Sequence, residues 1–439
     1  MKSNKVKINI MASEIGYTSS ALDYSHPTPR YTDLGNGKFV RQIPVNSITN
    51  ANTITFSIPP TDDFIDLQES FLKVTLQVKK KAGGDLIIAD NVVLSDNVIG
   101  SLFKAVTLRL NGERITTSNV YQAFENYFVT RFGVSKAATE IHLKRMQGLT
   151  SEEEGKNDDN TGKGWIARKK WTELSKKATF IGPIPCDFFR SCTKFLPPHQ
   201  VLNIEFKLNE AEFALTALNG EFKFELTNIE IFTRQVSVAS STTLGILKYQ
   251  ATKPLIMNFT SVEIQSFTIS AGKSVEFIRG IFPHQRPNQI FMVLVETDRL
   301  NGNLKKDPYK FSHGFVEKVV LRQNGVSCMT ESIITNFEND SGGALASYKY
   351  VMEAFNVGLN GRDANLTYDQ FINGSTMWAW TLAPDMDANN GVGLLQTTAQ
   401  FEADIYVKSG HNNPDLTALF IGKFGKSVFI NADNRTSVV

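Results

Sequence analysis

Apolar and polar residues alternate over many short runs of this chain. "TITFSIP" (Thr53–Pro59), "FLKVTLQV" (Phe71–Val78), "AVTLRLNG" (Ala105–Gly112), "LNIEFKL" (Leu202–Leu208) and "FELTNIEIFTRQV" (Phe224–Val236) all carry this pattern. A period of two residues is that of a half-buried β-strand, with one face on a core and one toward water. It directs Val106, Leu108 and Leu110 inward and Thr107 and Arg109 outward. Many such strands, joined by long connections, predict sandwiches of antiparallel sheets of the jelly-roll or Greek-key kind.

One of these pieces occurs twice. "KAVTLRLNG" (Lys104–Gly112) and "KVVLRQNG" (Lys318–Gly325) both end a β-branched run in Asn-Gly, and the two asparagines lie 213 positions apart. Asn-Gly after such a run predicts a hairpin, because a type I′ turn needs positive φ at both central residues. Other pieces match at similar offsets and in the same order. "TITFSIP" pairs with "IQSFTIS" (Ile264–Ser270), and "FLKVTLQV" with "IFMVLVE" (Ile290–Glu296). "VYQAFENYF" (Val120–Phe128) pairs with "YKYVMEAF" (Tyr348–Phe355), and "LNIEFKL" with "EADIYVK" (Glu402–Lys408). The kept order predicts a duplicated fold. The expected division is an N-terminal arm over 1–44, a first jelly roll over 45–238, a linker over 239–246, a second jelly roll over 247–430 and a tail over 431–439.

The longest interruption is Ser135–Ala178. Two helix-compatible runs there, "SKAATEIHLKRMQ" and "WIARKKWTELSKKA", flank an acidic, glycine-containing stretch. A loop of this length is commonly functional or disordered. Thr150–Lys163, rich in Glu and Asp, is expected to be solvated, at the outer end of a sandwich or at the edge of an assembly. The arm has no clear period. It is expected at the opposite end, ordering only against partners, with Lys2, Lys5 and Lys7 available to minor proteins, an acidic lipid surface or a genome.

Composition narrows the function. The chain has 439 residues, enough for two domains, and its 41% hydrophobic and 21% charged content is that of a folded globular protein. Thirty-one Phe suit broad β cores and subunit contacts. A net charge of +2 argues against a protein that mainly coats nucleic acid. Cys186, Cys192 and Cys328 form no disulfide framework, so folding in a reducing intracellular compartment is expected. The start has no apolar run of signal-peptide length, and no stretch nears the roughly 18 apolar residues that span a bilayer. The Asn-X-Ser/Thr triplets at Asn258, Asn365, Asn373 and Asn434 therefore read as chance.

A search for chemistry finds no catalytic constellation. None of the six histidines sits at metal-ligand spacing, and Cys186, Cys192 and His199 make a poor zinc pattern. There is no nucleophile elbow, phosphate-cradling loop or dinucleotide fingerprint. The acid pairs Asp62-Asp63, Asp158-Asp159 and Asp385 with Asp387 read as solvated surface. The basic runs Lys79–Lys81 and Ala167–Trp171 read as strand or helix ends rather than phosphate sites. Trp378 and Trp380 alternate on one expected strand and face one way, as core or subunit contact more readily than as a sugar platform. No catalytic residue, cofactor or metal is expected.

Several segments resemble the hexon-like major capsid proteins of Polinton/Maverick elements and adintovirus-type DNA viruses, of the adenovirus-hexon lineage. They are "FSIPPTDDFIDLQESFLKVTLQV", "NVIGSLFKAVTLRLNGERI", "TFIGPIPCDFFRSCTKFLPPHQVLNIEFKL", "VETDRLNGNLKKDPYKFSHGFVEKVVL" and the closing "VFINADNRTSVV". The likeness runs from about Asn50 to the C-terminus, and the motifs are diagnostic in combination. The arm and the Thr150–Lys163 loop have no counterpart in it. The resemblance implies an all-β double jelly roll, two eight-stranded antiparallel sandwiches with short helices in the connections. It also implies a non-enzymatic structural protein whose homotrimers form pseudo-hexameric capsomers of an icosahedral virion capsid. The implied partners are neighbouring capsomers, penton and minor capsid proteins, with indirect contact to a genome or inner membrane. The alternative from another class is a two-domain jelly-roll carbohydrate-binding protein using Trp378 and Trp380.

Overall fold

The computed structural model describes residues 33–49, 51–116, 120–150, 156, 158–329, 332–338, 342–357, 364–384, 386, 399–411 and 413–438. The first half contains β1 (Leu34–Gln42), β2 (Thr53–Ile58), β3 (Phe64–Lys80), β4 (Val92–Leu94), β5 (Phe103–Leu110), β6 (Glu113–Arg114), β7 (Ala178–Pro183), β8 (Leu202–Leu208), β9 (Leu215–Ala217) and β10 (Phe222–Val238). The second half contains β11 (Leu255–Ile269), β12 (Val275–Ile281), β13 (Gln289–Glu296), β14 (Val316–Gln323), β15 (Val326–Ser327), β16 (Ile333–Ile334), β17 (Met377–Thr381), β18 (Phe401–Val407), β19 (Leu416–Ile430) and β20 (Thr436–Val438).

Each half is a jelly roll of two facing four-stranded antiparallel sheets. The first pairs β1-β10-β3-β7 with β2-β8-β5-β6, and the second pairs β11-β19-β13-β17 with β12-β18-β14-β15. Taken in chain order, the eight strands of one half occupy the same places as the eight of the other. The pairs β4-β9, β16 on β14 and β20 on β19 are additions. The alternating pattern and the repeat predict two antiparallel sandwiches, and the fold is the double jelly roll that the family resemblance implies.

The repeated Asn-Gly turns lie at equivalent points, between β5 and β6 and between β14 and β15. Their φ values are 52° and 88° at Asn111 and Gly112, and 52° and 81° at Asn324 and Gly325, as a type I′ turn requires. The correspondence extends to hydrogen bonds. Asn111 Oδ1 accepts from Val201 N–H at 3.0 Å, and Asn324 Oδ1 accepts from Gln400 N–H at 2.9 Å. Both acceptors tie the turn to the residue just before the next long strand, β8 or β18.

Three apolar clusters hold the molecule. In the first, β2, β5 and β8 contribute Phe56, Leu108 and Phe206, all fully buried. The second contains Ile290, Met292, Leu294, Trp378, Trp380 and Phe420. The third joins the halves: the Gln122–Gly133 helix packs Phe124, Tyr127 and Phe128 against Phe291, Tyr309 and Phe311. Strand β13 thus has two buried faces, with Ile290, Met292 and Leu294 on its own core and Phe291, Val293 and Val295 on the seam. That explains its unbroken apolar run, since a strand covered on both sides has no polar face to alternate.

Four expectations change. The arm does not extend to residue 44, because Leu34–Gln42 is an edge strand paired with β10 from Leu34↔Val238 to Gln42↔Ile231. Its residues are mostly exposed, so it shows no alternation. The stretch 239–246 is not an irregular linker; it belongs to a helix, Ser240–Gln250, and the next sheet begins at Leu255. The tail contains β20, which pairs with Val428–Ile430. Finally, "TITFSIP" is β2 whereas "IQSFTIS" belongs to β11, the counterpart of β1. The other four pairings join equivalent elements.

Candidate assembly surfaces

The connections sort to two ends of each jelly roll. In the first, β3 starts opposite Val236 and ends opposite Phe222 of β10, while β1 starts opposite Val238. The start of β1, the end of β10, the Asn111-Gly112 turn and the Ser240–Gln250 helix therefore share one end. The long connection between β6 and β7 starts beside the Asn111-Gly112 turn and returns at the other end, where β7 enters the sheet with Ala178 opposite Leu76.

At the first end the tail closes the molecule. Asn111 Nδ2 donates to Gln200 Oε1 at 2.6 Å and faces the Asn434 carbonyl at 2.9 Å and Thr436 Oγ1 at 3.2 Å. Gln200 Nε2 reaches Asn434 Oδ1 at 3.2 Å, and Gln250 Nε2 donates to the Asn431 carbonyl at 2.9 Å. Asn434 itself has φ 60°, a conformation asparagine tolerates better than most residues. The closing "INADNRT" is thus a polar clamp between the two halves.

Along the seam, Asp187 Oδ2 accepts from Val262 N–H at 2.8 Å, and Ser191 Oγ accepts from Thr260 N–H at 2.9 Å. Arg190 donates to Glu125 Oε1 at 2.5 Å, Asn126 Oδ1 at 2.7 Å and Asp187 Oδ1 at 3.2 Å. Burial, then the neighbouring Asp187 charge, pushes Glu125 well above the usual carboxylate range, with Arg190 acting against both. A cavity of about 370 Å³ lies here, walled by Phe128, Phe132 and Phe291. Of its charged groups, Glu125, Asp187 and Arg190 interact with one another, and Lys423 also lines it.

At the opposite end Asp158 departs from the solvated role expected of it. Its two oxygens take a bidentate pair from Arg299 at 2.7 and 2.9 Å, and Oδ1 also accepts from Asp307 N–H at 2.7 Å. Arg299 is only 4% exposed, so it requires a counter-charge. Burial acts to raise the Asp158 carboxyl, but the Arg299 and Asp307 hydrogen bonds outweigh it and hold the group below its ordinary range. Asp159 is half-buried, and bonds from Thr161 lower it. Residues 151–155 and 157 of this loop lie outside the described residues.

The other candidate groups are mostly structural. Trp378 and Trp380 are core residues, buried beyond the reach of a sugar. Lys79, Lys80 and Lys81 pair with Glu225, Asp90 and both Glu212 and Glu221. Arg168 is buried and donates to Thr150 Oγ1, and Lys169 donates to Asn91 Oδ1. Cys186 and Cys192 are buried, and burial pushes the Cys186 thiol up to about 12. Asp62 is exposed near His199, while Asp63 pairs with Lys38. Asp385 and Asp387 lie outside the described residues. Among the described residues no three His, Cys, Asp or Glu side chains gather to hold a metal.

Among the described residues, two surfaces expose apolar groups. Phe39, Phe71 and Phe232 form a row across β1, β3 and β10, with centroids 5.4 and 4.9 Å apart and the Arg234 guanidinium 5.4 Å from Phe39. Phe39, Ile43 and Val45 are about half exposed or more, beside the edge of β1 that no described strand pairs. On the β12-β18-β14-β15 sheet and its β16 extension, Phe277, Val326 and Ile334 are similarly open. Exposed apolar groups beside a free strand edge are surfaces that proteins cover. The edge row could not be read from the sequence, because β1 itself was not legible there.

No family profile matches the chain. A curated relative is an uncharacterized protein of Caenorhabditis elegans, 20% identical over 358 residues, covering 76% of this chain and 81% of that protein. Among solved structures, a chain of the Sputnik virophage superposes with TM-score 0.64 at 10% identity, over 97% of this chain and 93% of that one. The PBCV-1 virus capsid gives 0.61 at 11% identity, over 95% and 99%. The mavirus major capsid protein gives 0.58 at 10% identity, over 100% and 97%. With both jelly rolls matched across nearly their whole length, the chain has the double jelly-roll fold of these viral capsid structures.

Proposed function

We propose that this chain is a major capsid protein. In this reading three copies associate into a pseudo-hexameric capsomer, and capsomers tile an icosahedral shell. The observation that carries it is the pair of topologically matched jelly rolls held as one body by the aromatic seam, the Asn434 clamp and the Asp158–Arg299 bridge. Two similar upright units per chain let three chains imitate six-fold symmetry. The likeness of the whole chain, rather than one half, to virophage and virus capsid subunits supports the same reading. The Phe39 row and the Phe277 sheet are the faces that neighbours would cover, and the trimer contact would bury on the order of 2,000 Å² or more, as obligate interfaces do.

The finer assignment is to a capsid gene of the Polinton/Maverick and adintovirus kind, supported by the quoted motifs and by a relative in a nematode. The protein then resides in the virion capsid, meets penton and minor capsid proteins, and needs no catalytic group. Light scattering after size-exclusion chromatography tests the reading. A mass near three times 48.9 kDa, with hexagonal particles or shells in negative stain, is expected. A stable monomer at micromolar concentration overturns it.

A further inference from the structure

Three connections of the second jelly roll meet at the start of β14, at the end opposite the Asn324-Gly325 turn, and two histidines join them. The His313 ring stacks on Phe337 at 4.7 Å and meets Phe315 edge-on at 4.5 Å, while His411 stacks on the Phe315 ring at 3.8 Å. Phe315 has a left-handed backbone, φ 47°, directly after Gly314 at 54°. A bulky residue adopts that conformation only where its surroundings enforce it. Three hydrogen bonds do so. Phe315 N–H donates to His313 Nδ1 at 3.0 Å, Lys408 N–H donates to the Phe315 carbonyl at 2.9 Å, and Asn413 Nδ2 donates to the Gly314 carbonyl at 2.7 Å.

The first of these bonds depends on the charge of a ring. Because Nδ1 accepts, neutral His313 carries its hydrogen on Nε2. A further proton can enter only at Nδ1, where it turns the acceptor into a donor and sets it against the Phe315 N–H. Among the described residues, the charged and titratable groups facing this cluster are Lys408 and His411 from the β18–β19 connection and Glu338 from the segment after β16. Strands β13, β17 and β19 bring only Leu294, Trp378 and Leu416. Glu338 is already engaged: Oε1 lies 3.0 Å from His411 Nε2, and Oε2 pairs with Lys408. We propose that His313 is an acid-responsive latch, whose Nδ1 proton releases the Gly314–Phe315 turn and loosens the Lys408–His411 and Phe337–Glu338 segments packed on it. Burial first, and His411 second, hold its imidazole below the ordinary histidine range, although Phe337 and Phe315 offer their rings to a cation. The unfolded chain therefore takes up this proton at a higher pH than the folded one, so the latch is complete above about pH 6.5 and weakens as pH falls below it. The inference does not rest on the capsid reading, because it concerns contacts within one chain.

Hydrogen exchange by mass spectrometry on the full chain, corrected for the intrinsic rate at each pH, tests it. Amides of residues 314–316 and 408–411 should lose about fivefold in protection between about pH 7 and pH 5.5, with the Asn324-Gly325 end of the same sheet unchanged. His313→Asn keeps an oxygen in the place of Nδ1 but cannot take up the proton, so the loss should vanish. A loss retained in that variant, which would assign it to His411 or Glu338, overturns the proposal. Exchange at the histidine Cε1–H positions of the unmodified chain reads proton uptake at His313 without any substitution, and its midpoint should coincide with that of the amide step. Proton uptake at His313 that leaves those amides unchanged would also overturn it.

Discussion

The two Asn-Gly turns provide an internal control for the clamp. Both asparagines adopt the same backbone conformation and both accept one backbone N–H, from Val201 or Gln400. Only Asn111 also turns its amide onto Gln200 and the tail. Replacing Asn324 by Ala loses one hydrogen bond, about 1 kcal/mol, and places a β-carbon at positive φ, about 1 kcal/mol more. Asn111→Ala carries both losses. Its Nδ2 has two hydrogens for three acceptors, so two further bonds disappear, about 2 kcal/mol in addition. Replacement by Gly relieves the backbone part at both positions, and the difference of about 2 kcal/mol should persist. Amide exchange at Thr436–Val438 reads this directly. A change of about 2 kcal/mol in local opening is roughly a thirtyfold loss of protection in Asn111→Gly, against almost none in Asn324→Gly. Equal effects at the two turns, or a tail whose protection ignores Asn111, would refute the clamp.

Asp158→Ala should destabilise by about 2 kcal/mol, seen as a lower urea midpoint, because it removes the bidentate partner of nearly buried Arg299 and leaves Glu296 as its remaining counter-charge. The folded carboxyl lies below its unfolded value, so its contribution is complete above about pH 4 and is lost as pH falls through the lowered value; the unmodified protein should lose its advantage over Asp158→Asn in that acid window. Glu125 is raised instead, so its cost grows as pH rises above about 4.5; Glu125→Gln should flatten that decline in the urea midpoint. Phe39→Asp should leave the melting temperature of the isolated subunit nearly unchanged and cut trimer yield in light scattering. Deletion of residues 1–31 should preserve trimers and impair shell formation, whereas deletion through Gly37 removes the first half of β1 and should lower stability as well.

The hairpins were legible because Asn-Gly is demanded by backbone geometry wherever it ends a strand. A duplicated β fold followed from the order of such pieces, and its double jelly-roll form from the family resemblance. Half-buried strands otherwise resemble one another whatever their place in a sheet, which is why Thr53–Pro59 was matched to a piece of β11 rather than to β12. Strand β1 escaped notice because a strand exposed on both faces has no period. Asp158 looked like a solvated acid because Arg299 lies 141 positions away, and no local pattern announces a distant counter-charge. Asn434 was visible only as an Asn-X-Ser/Thr triplet and as part of a family-like ending. Its partners Asn111 and Gln200 become neighbours only after both sandwiches have closed.

The sorting of connections to two ends leaves unequal freedom to change. Chain added within the Thr150–Lys163 stretch, late in the connection between β6 and β7, lies near the end where β7 enters the sheet, away from Asn111, Gln200 and Asn434. Insertions there alter one rim of the subunit and leave the clamp untouched. Descendants of such a subunit can therefore diversify what they present at that rim, in length and in charge, while inheriting the opposite end nearly intact. The wear of selection by hosts and the constraint of building a closed lattice would then be written in different stretches of one gene.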